Sequence, residues 1–164
     1  MKKISVVLIS VLMVLLLVSI VLATGFIVKT SNPDFRNDPL FYKALGNELT
    51  KKGDFDKAAI AYEQSLALAE DLEVRNNLAV IYYREARYSE AIDQLRALVA
   101  EEPGNPSYHY DLAVNLVDKF RNTDDKNLDD LYEALAEYEK ASGLSPGFSN
   151  SEQNIDVLRR VLRI

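Results

Sequence analysis

The sequence predicts an all-α protein in which an N-terminal transmembrane helix precedes a three-repeat α-solenoid and a C-terminal capping helix. Three observations support this fold class. Residues 4–28 carry no charge, short motifs recur at intervals of 33 and 34 residues, and two Asx-Pro pairs mark helix starts. We therefore divide the 164-residue chain into an anchor at 1–28, a linker at 29–38, repeats at 39–71, 72–105 and 106–147, and a cap at 148–164.

The apolar segment is long enough to cross a membrane. Of the 25 residues at 4–28, 20 are Ile, Val, Leu, Met, Phe or Ala. As an α-helix the segment would span about 37 Å, more than a hydrocarbon core of about 30 Å. A cleaved signal peptide is the main alternative, because Lys2 and Lys3 precede the apolar run, and a buried soluble helix is the other. A signal core is about 7–15 residues long, which favours a retained anchor.

The charges on either side of the anchor predict its orientation. The α-amino group, Lys2 and Lys3 precede the segment, whereas Lys29 and Arg36 follow it among acidic residues. The positive-inside tendency then keeps the N-terminus in the cytoplasm. We expect a single-pass membrane protein whose repeats lie outside the cytoplasm, after a polar tether interrupted by Pro33.

Self-comparison of residues 39–147 shows one pattern three times. A Leu-small pair recurs at Leu45-Gly46, Leu78-Ala79 and Leu112-Ala113. An alanine and, four residues later, a bulky apolar residue follow each pair: Ala58 and Tyr62, Ala91 and Leu95, and Ala134 and Tyr138. The third copy contains nine extra residues, and Pro103 and Pro146 close the second and third copies.

This pattern resembles the tetratricopeptide repeat, a 34-residue helix–turn–helix unit with an L-G…A-x3-F…P signature. Repeat one adds Tyr42 in the slot that is usually Trp, and Gly53-Asp54-Phe55-Asp56 matches the family's turn between its two helices. Asp38-Pro39 and Asn105-Pro106 each provide an N-cap followed by proline at the first helical position. The resemblance implies an array of paired helices over residues 39–147.

The small residues of the pattern predict where helices cross closely. We expect Gly46, Ala79 and Ala113 to contact Ala58, Ala91 and Ala134, respectively, because larger side chains would force the helices beyond the usual 8–10 Å separation. We expect the space between the helices to be filled by Tyr42, Leu45, Leu49, Phe55, Tyr62 and Leu66.

The C-terminal segment predicts a terminal cap. Ser149 and Glu152 have the spacing of a capping box. The helix that follows places Ile155, Leu158, Val161 and Leu162 on one side, which suits a cap with a polar outer face or the first helix of a truncated fourth repeat.

The resemblance implies a concave groove, lined by the first helix of each repeat, that binds an extended peptide or a partner helix. The slots carried over from the family are Leu40, Lys43, Asn47, Thr50, Lys51, Glu73, Asn76, Asn77, Val80, Tyr83, Arg84, Tyr110, Asp111, Val114, Val117 and Asp118. Chaperone-binding members hold a C-terminal carboxylate with Lys, Asn, Asn, Lys and Arg. Here Lys43, Asn47 and Asn77 fill the first three slots, but Ser107 and Asp111 fill the last two, and an acid there would repel a carboxylate.

Composition excludes several other classes of function. The chain has no cysteine and one histidine, so thiolate chemistry and multi-His zinc sites are excluded. Residues 39–164 carry a net charge of −8, which disfavours nucleic acid. We predict no catalytic residues, no cofactor and no metal, and we interpret His109 as a packed core residue.

The extra residues of repeat three are acidic and lie at about 121–130. We expect either a solvated connector or a recognition loop. The spacing of an EF-hand calcium loop is missing.

The function expected from these features is that of a membrane-tethered adaptor or scaffold that binds a protein or peptide partner. A self-assembling structural repeat protein and an enzyme of unrecognised type are the alternatives, and the oligomeric state stays open.

Overall fold

The computed structural model describes residues 35–164, and its contacts divide the chain into units at 1–37 and 38–164. The predicted anchor at 1–28 and most of the linker at 29–38 lie outside the described residues. The described part of the smaller unit is a 3-10 turn at Phe35–Asn37. Within residues 35–164, no helix combines the length and apolar character needed to cross a membrane.

Residues 38–164 fold into seven helices without strands, as the all-α prediction requires. Each helix packs on the next one in the chain, so that the array is a helical solenoid. The helices are α1 Pro39–Lys52, α2 Phe55–Leu68, α3 Leu72–Arg84, α4 Tyr88–Glu101, α5 Pro106–Asn122, α6 Leu128–Leu144 and α7 Ser151–Leu162.

Both predicted Asx-Pro helix starts are confirmed. The Asp38 side chain accepts a hydrogen bond from the Leu40 N–H at 2.9 Å, and the Asn105 side chain accepts one from the Ser107 N–H at 3.1 Å. These bonds satisfy N–H groups that the first turn of a helix leaves unpaired. Gly53 then ends α1 in the left-handed conformation (φ 78°), which glycine adopts without steric cost.

The closest approach of α1 and α2 lies at Gly46, which is buried. A Cβ atom on Gly46 would lie 2.5 Å from Cε1 and 2.6 Å from Cδ1 of Tyr62. The prediction of a close helix crossing at Gly46 is therefore confirmed, but its partner is Tyr62 rather than Ala58. The aromatic side chain, one turn further along α2, fills the space that the glycine leaves.

The later repeats show a similar arrangement. Ala79 and Leu95 belong to one core cluster, which also contains Ala113 and Tyr138. Ala91 lies in the other core cluster, with Ala58, Tyr62 and Leu78. Ala79 and Ala91 therefore contribute to different clusters of the core, and their direct contact stays a prediction.

Leu45 departs from the other leucines of the pattern. It is 39% exposed, whereas Leu78 and Leu112 are 1% and 2% exposed. The unit at 38–164 begins with α1, so no earlier repeat of that unit covers this side. Leu45 lines an apolar depression of about 400 Å³ with Tyr42, Leu49 and Ile60 rather than filling the core.

The extra residues of repeat three lengthen two helices instead of forming a ten-residue loop. Of the nine extra residues, four lengthen α5 relative to α3, and three lengthen α6 relative to α4. The connection at 123–127 is therefore only two residues longer than the connection at 85–87. Lys119 Nζ lies 2.8 Å from Asp125 and 2.9 Å from Asp130, which joins the two helices across the connection. The expected solvated connector is therefore present but confined to 123–127, whereas 121–122 and 128–130 are helical.

The start of α7 differs from the predicted capping box. Ser149 adopts a left-handed conformation (φ 51°) before the helix, and Asn150 occupies the N-cap position. The Glu152 carboxylate instead accepts hydrogen bonds from the Gly147 N–H at 2.9 Å and the Ser142 hydroxyl at 2.8 Å. Because Glu152 bonds to the preceding turn, it anchors the α6–α7 connection.

The outer face of α7 is also less polar than predicted. Ile155 and Leu158 are buried, but Val161 is 58% exposed and lies near Val157 and Ile164, which are 54% and 67% exposed. Helix α7 therefore covers the end of the core with one face and exposes two valines, Val157 and Val161, among the polar residues of the other.

Candidate partner-binding groove

Helices α1, α3 and α5 form two adjoining depressions on one face of the solenoid. The α1–α3 depression has a volume of about 390 Å³, and the α3–α5 depression has one of about 120 Å³. Val80 of α3 lines both depressions and is 49% exposed. We refer to the two depressions together as the groove.

The α1–α3 depression carries basic side chains. Lys51 and Arg84 line it, and neither forms an ion pair with a described residue. The Arg84 guanidinium lies 4.3 Å from the centroid of the Phe55 ring, a cation–π contact that leaves its N–H groups available for an anion. On the floor, the Tyr62 hydroxyl donates to Asn47 Oδ1 at 2.6 Å. Glu73 also lines this depression, but its carboxylate is paired with Lys43, so this part of the groove offers positive charge beside a fixed amide.

The α3–α5 depression carries hydrogen-bond acceptors. Asp111 lies on its wall, and its one side-chain hydrogen bond comes from the Ser107 hydroxyl at 3.4 Å. Burial raises the pKa of Asp111, and the Ser107 bond only partly opposes that shift. Asn115, which is 4% exposed, donates through Nδ2 to the Asp111 carbonyl oxygen at 2.9 Å. Its Oδ1 atom has no hydrogen-bond partner within residues 35–164.

Tyr83 forms one edge of the α3–α5 depression. Its hydroxyl donates to Asp118 Oδ2 at 2.7 Å, and this hydrogen bond together with burial raises the pKa of Tyr83 to about 12. Tyr83 therefore stays protonated at neutral pH. Asp118 also lies 3.7 Å from Arg121, so its carboxylate is already engaged at the edge of the groove.

Lys43 is held inside the fold rather than presented to a ligand. Its ammonium donates to Asp71 at 2.8 Å and to Glu73 at 2.6 Å, and these hydrogen bonds raise the pKa of Lys43. The ammonium therefore ties α1 to the start of α3. Of the clamp positions of the chaperone-binding members, the first is thus occupied here by an internal ion pair and the last by the acid Asp111, so the structure adds a second argument against a carboxylate clamp.

The two depressions bring together eleven of the sixteen groove residues that we predict for partner binding. These eleven are Asn47, Thr50, Lys51, Glu73, Asn76, Asn77, Val80, Tyr83, Arg84, Asp111 and Val114. Of the others, Lys43 and Asp118 are paired as described, and Leu40 is 68% exposed. Tyr110 packs edge-on against Tyr138 and Phe148, with ring centroids 5.4 and 5.8 Å apart.

Sequence reasoning missed the groove residues that lie partly in the core. Phe55 and Tyr62 reach the α1–α3 depression from α2, and Asn115 reaches the α3–α5 depression. The sequence does contain an indication for Asn115, because this polar residue lies between the core position Leu116 and the groove position Val114. For Phe55 and Tyr62 the pattern indicated only packing.

His109 is buried, which confirms its interpretation as a core residue. Its Nε2–H donates to the Pro103 carbonyl oxygen at 2.9 Å, and Nδ1 lies 2.5 Å from Glu137 Oε2. Glu137 also accepts a hydrogen bond from Lys140 Nζ at 2.7 Å. Since both ring nitrogens are occupied, the pair joins α5, α6 and the preceding turn, and it presents no free nitrogen to act as a base.

Comparisons with known proteins agree with this architecture. The family described as Tetratricopeptide repeat matches residues 49–114, which include α3 and α4. No curated protein matches the chain.

Solved structures of the same fold are similar at low sequence identity. The first TPR of Spaghetti (RPAP3) bound to the HSP90 peptide SRMEEVD has a TM-score of 0.62 at 19% identity, covering 79% of this chain and 96% of that one. MamA from Desulfovibrio magneticus RS-1 has a TM-score of 0.65 at 19% identity, covering 78% and 68%. YrrB, described as a TPR protein with an unusual peptide-binding site, has a TM-score of 0.65 at 16% identity, covering 77% and 61%.

The class of protein follows from the helix pairs and these comparisons. Residues 38–164 form a tetratricopeptide-type helical solenoid. Within it, residues 49–114 carry sequence repeats of the tetratricopeptide family.

The junction of Lys43 and Asp71 gives a first testable prediction. The Asp71 side chain accepts hydrogen bonds from the N–H groups of Glu73 at 2.9 Å and Val74 at 3.1 Å, so it caps α3 as well as pairing with Lys43. Asp71→Asn keeps a capping oxygen and removes the charge, whereas Asp71→Ala removes both. In urea unfolding at pH 7, the Ala variant is expected to be about 1 kcal/mol less stable than the Asn variant.

The pH dependence of the same pair has a definite sign. Hydrogen bonding to Lys43 lowers the pKa of Asp71 in the folded state. The stability that wild type has over Asp71→Asn is therefore complete above about pH 4 and is lost as the pH falls through the folded-state pKa. The pair is partly exposed, so this difference is about 0.2–1 kcal/mol. Equal stability of wild type and Asp71→Asn at pH 7 would contradict the assignment. A stability difference between these two proteins that grows as the pH falls would also contradict it.

Proposed function

We propose that this protein is a membrane-tethered, non-enzymatic adaptor that holds an extended segment of a partner protein in its groove. The observation that carries the proposal is the pair of adjoining depressions, one basic and one rich in acceptors, that meet at Val80. Opposite charge along a groove fixes the direction in which a segment binds. The exposed side chains of Val80 and Tyr83 supply the apolar contact that such binding needs.

The similar solved structures support a peptide ligand, and the charged residues of this chain indicate which charges that peptide carries. The RPAP3 repeat domain is bound to an HSP90 peptide, SRMEEVD, and YrrB is described by its peptide-binding site. In this chain Lys43 is paired and Asp111 replaces a basic clamp residue. We infer a partner segment that places acidic or polar groups near Lys51 and Arg84 and a basic group near Asp111.

Tethering is the second part of the proposal. We place residues 1–28 in the membrane as a retained anchor with the N-terminus in the cytoplasm, and the repeats on the other side after the linker at 29–38. The length and apolar composition of residues 4–28 support this placement. A short tether raises the effective concentration of the groove for a membrane-bound partner to the millimolar range, so a modest affinity suffices.

Exposed apolar side chains at the ends of the array favour a second candidate function, self-assembly. The array exposes apolar side chains at both ends, with Leu45 and Ile60 near the start and Val157 and Val161 on the last helix. Copies that stack end to end would cover these surfaces.

Photo-crosslinking in cells that produce the protein distinguishes partner binding in the groove from self-assembly through the ends of the array. A photoreactive residue at Val80, which is 49% exposed, is compared with one at Val157, which is 54% exposed. We expect discrete heterologous products from Val80, and we expect Lys51→Glu with Arg84→Glu to reduce them at least tenfold. The charge reversal Arg160→Glu on α7 is the matched control and should leave them unchanged. Products of twice the chain mass from Val157 alone would favour self-assembly and contradict the adaptor.

The tether is tested in the same cells. The chain is expected to stay in the membrane pellet after an alkaline carbonate wash, because a spanning helix is not released by charge neutralisation. N-terminal sequencing should then show the intact segment. A mature chain that begins near residue 26 and lies in the soluble fraction would contradict the anchor and leave the groove assignment untouched.

A further inference from the structure

The α3–α5 depression contains two acceptors that the fold leaves underused. Asp111 receives only the long bond from Ser107, at 3.4 Å. Asn115 Oδ1 is the one buried side-chain oxygen or nitrogen atom of residues 35–164 without a hydrogen-bond partner. Burying a polar atom without a partner is unfavourable, because the atom gives up its hydrogen bonds to water. Buried polar atoms nearly always have a partner, so a donor from outside the fold is expected at this oxygen.

The orientation of the Asn115 amide follows from its neighbour. Nδ2 lies 2.9 Å from the Asp111 carbonyl oxygen, which can only accept a hydrogen bond. The opposite orientation would place two acceptors face to face. Oδ1 is therefore the atom left without a partner, and Asn115 lines the same depression as Asp111.

No basic residue within 35–164 forms an ion pair with Asp111. The cations elsewhere on α5 are engaged, since Lys119 binds Asp125 and Asp130 and Arg121 lies 3.7 Å from Asp118. A half-buried carboxylate without a cation is unusual, because burial of a charge is ordinarily compensated by pairing. The depression therefore combines an uncompensated acidic group with an unsatisfied acceptor.

We propose that the α3–α5 depression is a subsite for a single basic side chain, Lys or Arg, of the partner segment. Its charged head donates to the Asp111 carboxylate and to Asn115 Oδ1. Its aliphatic stem lies along Val80 and Val114, and the ring of Tyr83 borders the entrance. This inference rests on the proposed function, since it specifies one residue of the segment that the groove binds.

The shape of the subsite favours a cation over a neutral donor. A guanidinium presents several N–H donors in a fixed fork, which suits two separate acceptors. The Tyr83 hydroxyl is committed to Asp118, so what this residue offers to a ligand is its ring face, which attracts a cation. The rest of the lining is mostly aliphatic, with Ala79, Val80, Leu95 and Val114 beside Asn76, so a long apolar stem is also accommodated.

The test uses the full-length chain in detergent and an array of immobilised peptides whose randomised positions are all uncharged. In each peptide set one further position is fixed as Arg, Lys, citrulline or Glu. Citrulline keeps the shape of arginine and removes its charge. Wild type is expected to capture the Arg and Lys sets about tenfold more than the citrulline set, and the Glu set least. Asp111→Asn should reduce the Arg-to-citrulline ratio to about one. Asp156→Asn, which removes an exposed acid on α7, is the control and should keep the ratio.

A second variant keeps the test decisive if Asp111→Asn folds poorly. Asn115→Leu replaces an unsatisfied polar group by an apolar one of similar size, so its melting temperature is expected to equal or exceed that of wild type while the preference for Arg falls. The subsite would be overturned if both variants kept the preference for Arg, or if wild type preferred the citrulline or Glu set. In either case the capture of peptides would still support the groove. Capture of no peptide set by wild type would overturn both.

Discussion

The contact between Gly46 and the ring of Tyr62 sets how closely the first two helices pack, and the groove depends on it. Any Cβ at position 46 would overlap the ring, which is only 1% exposed. The ring is held from the other side as well, because its hydroxyl donates to Asn47 and lies 3.5 Å from the Thr50 hydroxyl. One side chain therefore fills the core of the helix pair and forms the floor of the α1–α3 depression.

Two ion-pair clusters hold neighbouring helices of the array together. Lys43 joins α1 to α3, and Lys119 joins α5 to α6. Lys51, Arg84 and Asp111 have no such partner among the described residues, and all three lie in the groove. Because these three charges take no part in holding the helices together, they support the proposed role of the groove in recognition.

The helices, their starts and their order could be predicted from the sequence because each depends on local signals. Proline after an Asx cap and a Leu-small pair every 33 or 34 residues are enough to place α1 to α6. The partner of Gly46 could not be predicted, since spacing gives the register of a crossing and not the rotamer that fills it. The same limit applies to Lys43, whose carboxylate partners Asp71 and Glu73 are 28 and 30 residues away. Eleven of the predicted groove residues line the two depressions, whereas the unsatisfied oxygen of Asn115 is visible only in three dimensions.

The free energy of unfolding of Gly46→Ala tests the central claim most directly. The methyl group must displace a ring that is buried and hydrogen-bonded, so a loss of about 1–3 kcal/mol is expected in urea unfolding. Gly143→Ala is the matched control, because no atom lies within 4 Å of its added Cβ and it occupies a helix. That variant should be more stable than wild type by about 0.5–1 kcal/mol. A Gly46→Ala protein as stable as Gly143→Ala would show that the helix pair does not depend on this contact.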